Sequence, residues 1–399
     1  MPKMNERKEY KLNEVYDFGS GLSKSRSEFG FGYGFLSYKE IFHNYFVPDN
    51  LHELVNSTEK ERRSCSILRG DVFLTRTSET DEELGMSCVA LKDYPDATFN
   101  GFTKRLRPNG KVEVLPEYAG FYFRSSSFRA SVVSISSITT RASLNNEMLN
   151  ALSIVVPSIE EQYLIAGTLK DLHDKIDLLR RQNTTLEKMA ETLFKQWFVE
   201  EAKDEWEEGI LDEILTVKGG TTPSTSISEY WDGNIHWTSP KDITNLDSIY
   251  LFDTERKITE LGLKKIGSGL LPKGSLLMSS RAPVGALAFA EIPLAINQGY
   301  IGIIDDKGFS KEFIYLWLKI NMDTVQSYSN GSTFLEISKS AFKSLAISKP
   351  PRELRDKFQL MSRPLFEKIK ANQVQIITLT KLRDTLLPKL MSGEVLIKV

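Results

Sequence analysis

The chain has 399 residues and a mass of 45.3 kDa, too long for one ordinary core, so two or more domains are expected. With 41% hydrophobic and 26% charged residues it reads as a globular protein; no apolar run approaches the roughly 20 residues that span a bilayer, and the charged opening MPKMNERKEY lacks a signal peptide's apolar core. Two distant cysteines, Cys65 and Cys88, without a His/Cys cluster point to a reducing compartment, cytoplasmic by default, and exclude a structural zinc site as an expectation.

In chain order, residues 1–156 read as mixed structure, with a short β-rich run at Asp71–Thr75 and exposed loops at Gly30–Gly34 and Ser125–Ser127. After Pro157 the period changes. Leu169, Leu172, Ile176, Leu179, Asn183, Leu186, Ala190, Leu193 and Trp197 follow at spacings of three and four, a heptad seam with Asn183 at an a position. This predicts a helical segment at 157–205, in which a pattern of roughly 40 residues at 1.5 Å each makes a rod on the order of 60 Å. Residues 206–349 read as mixed structure again, with strands at Gly274–Met278 and Tyr300–Ile304, a helix at Phe313–Lys319 and an exposed loop at Lys218–Ser224. A second helix, about Arg352–Leu387 within the segment 350–399, keeps Leu365, Ile369, Ile376, Leu379 and Leu386, is interrupted by Asn372 and Arg383, and is stopped by Pro388.

The halves resemble each other. Leu152–Gln162 matches Leu345–Arg355 at an offset of 193, and the same offset carries Tyr122 onto Tyr315, Leu172 onto Leu365, and Lys175-Ile176 onto Lys368-Ile369. Upstream the offset drifts, as unequal loops require: Leu68–Leu74 resembles Leu271–Leu277, and Ser37-Tyr38-Lys39 resembles Ser239-Pro240-Lys241. Charge divides along the same lines. Residues 1–156 hold 20 basic and 20 acidic groups and residues 209–349 hold 14 and 15, whereas residues 157–208 carry −6 and residues 350–399 carry +5. Opposite charge and apolar stripes together predict that the two helices pair, antiparallel, with Asn183 facing Asn372 or with Asn372 exposed.

No phosphate-binding GxxxxGK[ST] loop, base-amino methyltransferase motif, GxSxG elbow or HExxH helix is present, and the four histidines are scattered. His173, on the first long helix, reads as a solvated or packing residue. Binding is favoured over catalysis. A self-sufficient nucleic-acid-modifying enzyme, and a coiled-coil scaffold without a DNA role, remain as alternatives.

Six segments carry a resemblance: Pro157-Ser158-Ile159-Glu160-Glu161-Gln162, Asp174-Lys175-Ile176-Asp177-Leu178, Leu193-Phe194-Lys195-Gln196-Trp197-Phe198-Val199, Lys218-Gly219-Gly220-Thr221-Thr222-Pro223-Ser224, Trp237-Thr238-Ser239-Pro240-Lys241-Asp242 and Leu386–Val395. In this order, with the duplication, the chain resembles the specificity subunit of type I restriction-modification systems. The resemblance implies an α+β fold: two similar mixed α/β target-recognition domains separated by two long helices that pair as an antiparallel coiled coil, in a pseudo-two-fold internal repeat. It implies a non-catalytic DNA reader of a bipartite, asymmetric site, with the helices as ruler and docking surface. The implied partners are double-stranded DNA, two modification (methyltransferase) subunits and restriction subunits. No cofactor is expected in this chain; S-adenosylmethionine, ATP and Mg would be bound by the partners. One departure is Pro351-Arg352-Glu353-Leu354-Arg355, which lacks the Glu-Glu-Gln opening of the first helix.

Base reading needs arginine for guanine and Asn/Gln for adenine, and phosphates need lysine or backbone donors. Arg76, Thr77, Ser280 and Arg281, at strand ends related by the repeat, are the leading candidates, although a strand-end arginine serves equally in a surface ion pair. Lys39 and Lys241, in matching loops, suit phosphate contact or plain solvation; Lys104, Arg105 and Arg107 form the densest basic run of the first half, which also reads as a solvated face; and Thr221 lies in the Gly-Thr motif. Asn297 and Gln298 suit adenine or a simple turn, and Arg141 and Thr333 sit in matching polar loops.

Overall fold

Two four-residue runs with every side chain buried, Val72–Thr75 and Leu276–Ser279, are the innermost strands of the two halves. The structure, a computed structural model, describes residues 7–77, 83–136, 143–330 and 335–397. It divides into two units, Met1–Ile176 with Thr378–Val399, and Asp177–Ile377.

The first unit contains β1 (Lys8–Lys11), β2 (Tyr16–Ser20), β3 (Phe29–Leu36), β4 (Leu54–Val55), β5 (Val72–Thr75), β6 (Ser87–Val89), β7 (Thr98–Phe99), β8 (Thr103–Pro108) and β9 (Ser153–Val156). Its sheets have the orders β1-β9, β2-β8-β5-β6 and β4-β3-β7. The second unit contains β10 (Glu207–Ile210), β11 (Thr216–Gly219), β12 (Trp231–Thr238), β13 (Tyr250–Leu251), β14 (Arg256–Ile258), β15 (Leu276–Ser279), β16 (Leu287–Ala290), β17 (Ala295–Ile296), β18 (Tyr300–Asp305) and β19 (Ala346–Lys349). Its orders are β10-β19, β11-β18-β15-β16-β13 and β14-β12-β17, the same plan with an added edge strand. The element order therefore repeats, and β9 and β19 start 193 residues apart, as the offset predicts.

Two loop expectations are corrected. Gly30–Gly34 lies inside β3, where a register shift between Phe29 and Tyr33 and positive φ at Gly30 and Gly32 mark a bulge, so the glycines serve a kinked strand. Ser125–Ser127 opens the helix Ser126–Ser136, whose Phe128 N–H donates to Ser125 Oγ at 3.4 Å.

The central helix runs Ile159–Lys195, with a π turn at Gln196–Glu200, and the C-terminal helix runs Arg352–Ser392. Their starts are again 193 apart. Pro388 does not stop the second helix. It removes one backbone bond at roughly 3 kcal/mol, but Leu390 and Met391 beyond it are buried in the first unit's core. Burying two such side chains is worth roughly 1.5–3 kcal/mol each, which offsets the loss. The helix ends before Gly393, whose φ of 80° supplies the left-handed cap.

The two helices bury their stripes together with the globular cores. In the first unit Ile165, Ala166 and Leu169 join Leu387, Leu390 and Met391 in one cluster with Leu12, Val15 and Phe121. In the second unit Ala190 and Phe194 join Phe358, Phe366 and Ile369 with Leu211, Ile214 and Phe313. There Phe194 meets Phe358 (ring centroids 5.6 Å apart) and Asn183 meets Asn372, so the segments run antiparallel. Of the expected seam, Ile176, Leu179, Ile369, Asn372 and Ile376 are buried, and Leu172, Asn183, Leu186, Leu193, Leu365, Leu379 and Leu386 are half-buried. His173 packs against the rings of Tyr45, Phe46 and Phe121, a packing role.

The opposite charges of the helical segments are not what joins them. Among the described residues, the helices' ion pairs stay within one helix, as in Lys170–Asp174 and Arg363–Glu367, or reach the globular part, as in Arg180–Asp247 and Lys370–Glu291. The missing Glu-Glu-Gln opening is compensated locally. Gln162 Nε2 donates to the carbonyls of Pro157 and Glu113, and 193 residues on Arg355 donates to those of Pro350 and Gly308.

Asn372 is 1% exposed and its Nδ2 donates to Asn183 Oδ1 at 2.9 Å, so the amides face each other. Asn372→Ala leaves Asn183 half-buried without that partner and is expected to cost about 1–3 kcal/mol in urea unfolding. Leucine at both positions removes the unpaired group, and stability should return to within about 1 kcal/mol of the parent or exceed it. The order Asn372→Ala below the double variant is the outcome to check.

Arg7 closes the first unit. Its guanidinium pairs with Glu161, whose side chain is 6% exposed, at 2.5 Å and donates to the Leu390 and Met391 carbonyls. Arg7→Ala strands a buried carboxylate and is expected to cost about 3 kcal/mol and to speed proteolysis near Gly393, read by limited digestion.

Candidate nucleic-acid interface

Each unit gathers the same four segments, three loops or strand ends and the start of a short helix. In the first, the chain after β2 lies on the turn joining β7 to β8: Leu22 N–H donates to Phe99 O at 2.8 Å and Gly101 N–H returns a bond to Leu22 O at 2.9 Å. The end of β5 joins them, with Arg76 N–H donating to Phe102 O at 2.8 Å. The helix after β3 completes the group, with Tyr38 Oη donating to Thr77 O at 2.8 Å. In the second unit Thr221 N–H donates to Ile296 O (3.0 Å), Ser280 N–H to Gly299 O (2.8 Å) and Tyr300 Oη to Ser239 O (2.5 Å). The approach is close enough that a Cβ on Gly21 would overlap Asn100 O and one on Gly220 would overlap Ile296 O, which explains the glycine of the Gly-Thr motif.

Capping boxes hold the lysines. Ser37 with Glu40, and Ser239 with Asp242, each close the first helical turn, so Lys39 and Lys241 occupy matching exposed sites. Lys39 has no ion pair among the described residues; Lys241 pairs with Glu255 at 3.2 Å, an exposed contact of about 0–1 kcal/mol that a phosphate can displace.

The two arginines are neighbours in the repeat and not equivalents. Thr75 Oγ1 and Ser279 Oγ accept matching backbone bonds from Met86 and Ala286, which aligns Arg76 with Ser280 and Thr77 with Arg281. Bridges agree: Thr77 pairs with Ser143 and Arg281 with Glu336. Arg76 is exposed without an ion pair among the described residues, and Thr77 is half-buried. Ser280 is 3% exposed and points inward, so it presents no hydroxyl. Arg281 lies 3.7 Å from Glu336. Thr221 is exposed, and Gln298, also exposed, accepts from Thr222 Oγ1 at 2.7 Å. Asn297 Oδ1 accepts from Gly299 N–H at 2.8 Å, as Asn100 does from Phe102 at 2.7 Å, so Asn297 is a turn-forming residue. Arg141 and Thr333 lie outside the described residues.

The basic run of β8 is turned into the fold. Lys104 is 9% exposed and bonds Ser20 Oγ (3.2 Å) and Asn146 Oδ1 (3.0 Å); burial, then the charge of Arg76, pull its amine below the usual lysine range. Arg105 donates to the Ser64 and Ser66 carbonyls, and Arg107 pairs with the fully buried Asp71 at 2.6 Å. Lys104 and Arg105 are therefore corrected from contact candidates to structural residues, because a central strand faces packed neighbours on both sides. Phe102, 61% exposed at the tip of the β7–β8 turn, belongs to the cluster and was missed. A lone aromatic in a turn has no periodic signal.

The family model for the type I restriction modification DNA specificity domain matches residues 4–188 and 203–358. The MjaIX specificity subunit of Methanocaldococcus jannaschii is 39% identical over 169 residues, covering 42% of this chain and 39% of its own length. The HindI specificity subunit of Haemophilus influenzae is 23% identical, covering 90% of this chain and 94% of its own. The type I restriction-modification S subunit from M. genitalium has the same fold, with a TM-score of 0.60 at 16% identity over 100% of this chain and 98% of that one. With its two halves matched in turn and its fold shared, the chain belongs to the family of type I restriction-modification specificity subunits.

Proposed function

We propose that the chain is the non-catalytic DNA reader of a type I restriction-modification complex, each unit reading one part of a bipartite, asymmetric site. The observation that carries this reading is the repeated loop cluster. One backbone frame occurs in both units, yet it presents Arg76, Thr77 and Lys39 in the first and Arg281, Gln298, Thr221 and Lys241 in the second. Equal frames with unequal side chains suit two half-sites of different sequence. The exposed lysines take phosphates; the arginines and Gln298 take base edges. Near-neutral globular segments make basic surface from partner subunits part of the affinity.

In this reading the paired helices set the gap between half-sites and dock two methyltransferase subunits, with restriction subunits joining them. S-adenosylmethionine, ATP and Mg are held by those partners, in the cytoplasm. The test is methylome sequencing of cells carrying this chain with its modification subunit. One bipartite methylated motif with a fixed gap is expected, and replacing residues 1–156 by those of another family member should change one half only. Scattered or absent methylation overturns the function.

Point variants sharpen it. Arg76→Ala and Arg281→Ala should each weaken binding by about 1–3 kcal/mol and relax one position of a different half. Lys39→Ala should weaken all sequences alike and lower the salt slope by about 1. Arg107→Ala, by contrast, should lower the melting temperature, since it strands Asp71.

A further inference from the structure

The turn that carries Phe102 is fixed by three hydrogen bonds, two within the turn and one from the end of β5. The Phe102 N–H donates to Asn100 Oδ1 at 2.7 Å, its carbonyl accepts from Arg76 at 2.8 Å, and the next residue's Thr103 Oγ1 donates to Asn100 O at 2.5 Å. The ring is nevertheless 61% exposed, beside an arginine without an ion pair among the described residues. The fold itself does not ask for an aromatic here. The second unit builds the same turn on Asn297 and puts Gly299 at the equivalent place, with Pro240 so close that a Cβ would crowd it. The ring belongs to neither core and stands in the same loop cluster as Arg76, which leaves it available for contact with a ligand.

We propose that Phe102 is a specificity-determining residue, its ring contacting the thymine 5-methyl group of an A·T pair in the half-site read by the first unit. This rests on the DNA-reading function above. In the major groove the thymine methyl is the base-edge feature suited to apolar contact, whereas guanine, cytosine and adenine edges present donors and acceptors. Arg76, bonded to the same carbonyl, supplies the adjoining polar contact, so one turn addresses two features of the half-site.

The test uses the full chain in complex with its modification subunit. The wild-type motif is read from the methylome, and then Phe102→Ala and Phe102→Gly, the latter copying the second unit, are compared with it. One A·T position in one half should relax to any base, with the other half and the gap unchanged. Binding of the cognate duplex should fall about fivefold, while binding of a motif-free duplex and the melting temperature stay the same. Replacing that thymine by uracil should weaken the wild type about fivefold and leave Phe102→Ala unaffected; Phe102→Leu should restore part of the preference. An unchanged motif in Phe102→Ala, a relaxed G·C position, or a wild type indifferent to uracil overturns the proposal while leaving the DNA-reading function standing. A wild-type complex that marks no bipartite motif overturns both.

Discussion

The constraint on which the molecule depends is that neither long helix can bury its apolar stripe alone. Each helix contributes one stretch to either unit's core, so the first unit needs Leu387, Leu390 and Met391 from the end of the chain, and the second needs Ala190 and Phe194 from its middle. Two chain segments far apart in sequence must come together before either core closes. Arg7, binding Glu161 and the carbonyls of Leu390 and Met391, ties three such segments at a single guanidinium. The same demand makes a proline tolerable inside the helix, because Leu390 and Met391 on its far side are buried.

Within the seam, apolar contact is unspecific and the amide layer is not. The repeat offset carries Asn372 back to Leu179 and Asn183 forward to Ile376, both buried and apolar. The Asn183–Asn372 pair therefore occurs once in a structure where almost everything else occurs twice. A single polar layer disfavours any other alignment of the two stripes, because a slipped register buries both amides against leucine or isoleucine. Net charge on the segments offered a simpler reason for pairing, and the observed ion pairs do not use it.

Much of the architecture was legible because the signals are redundant along the chain. A constant offset from strand through proline into helix survives substitution at any one position, and a heptad seam is read from many residues at once. The β-rich runs Asp71–Thr75 and Gly274–Met278 stand out in the sequence, and the structure places strands at Val72–Thr75 and Leu276–Ser279. The failures are local ones. Pro388 breaks a helix by its own chemistry and is overruled by residues whose burial lies in distant contacts, and the glycines of β3 look like a loop because a bulged strand uses the same residue. The site was less legible than the fold. Lys104, Arg105 and Arg107 form a basic run in sequence, yet long side chains reach back to Ser20, Ser64, Ser66 and Asp71, and the direction of that reach is a property of the sheet.

What the duplication conserves is the frame. Gln162 and Arg355 differ in charge and size, yet each ties its helix start to the carbonyl of a proline at the same place in the repeat. At the loop cluster the converse holds: Asn100 and Asn297 make the same turn bond, and the residues they present, Phe102 and Gly299, have nothing in common. Positions that serve the backbone can exchange side chains only for others that make the same bond. Positions that the backbone merely presents are free to diverge, and the proposed reading of two unlike half-sites needs that freedom. This separation explains why Arg76 and Arg281, which look like partners in the sequence, stand one residue apart in the frame: the strand end is repeated, and the group it offers is not.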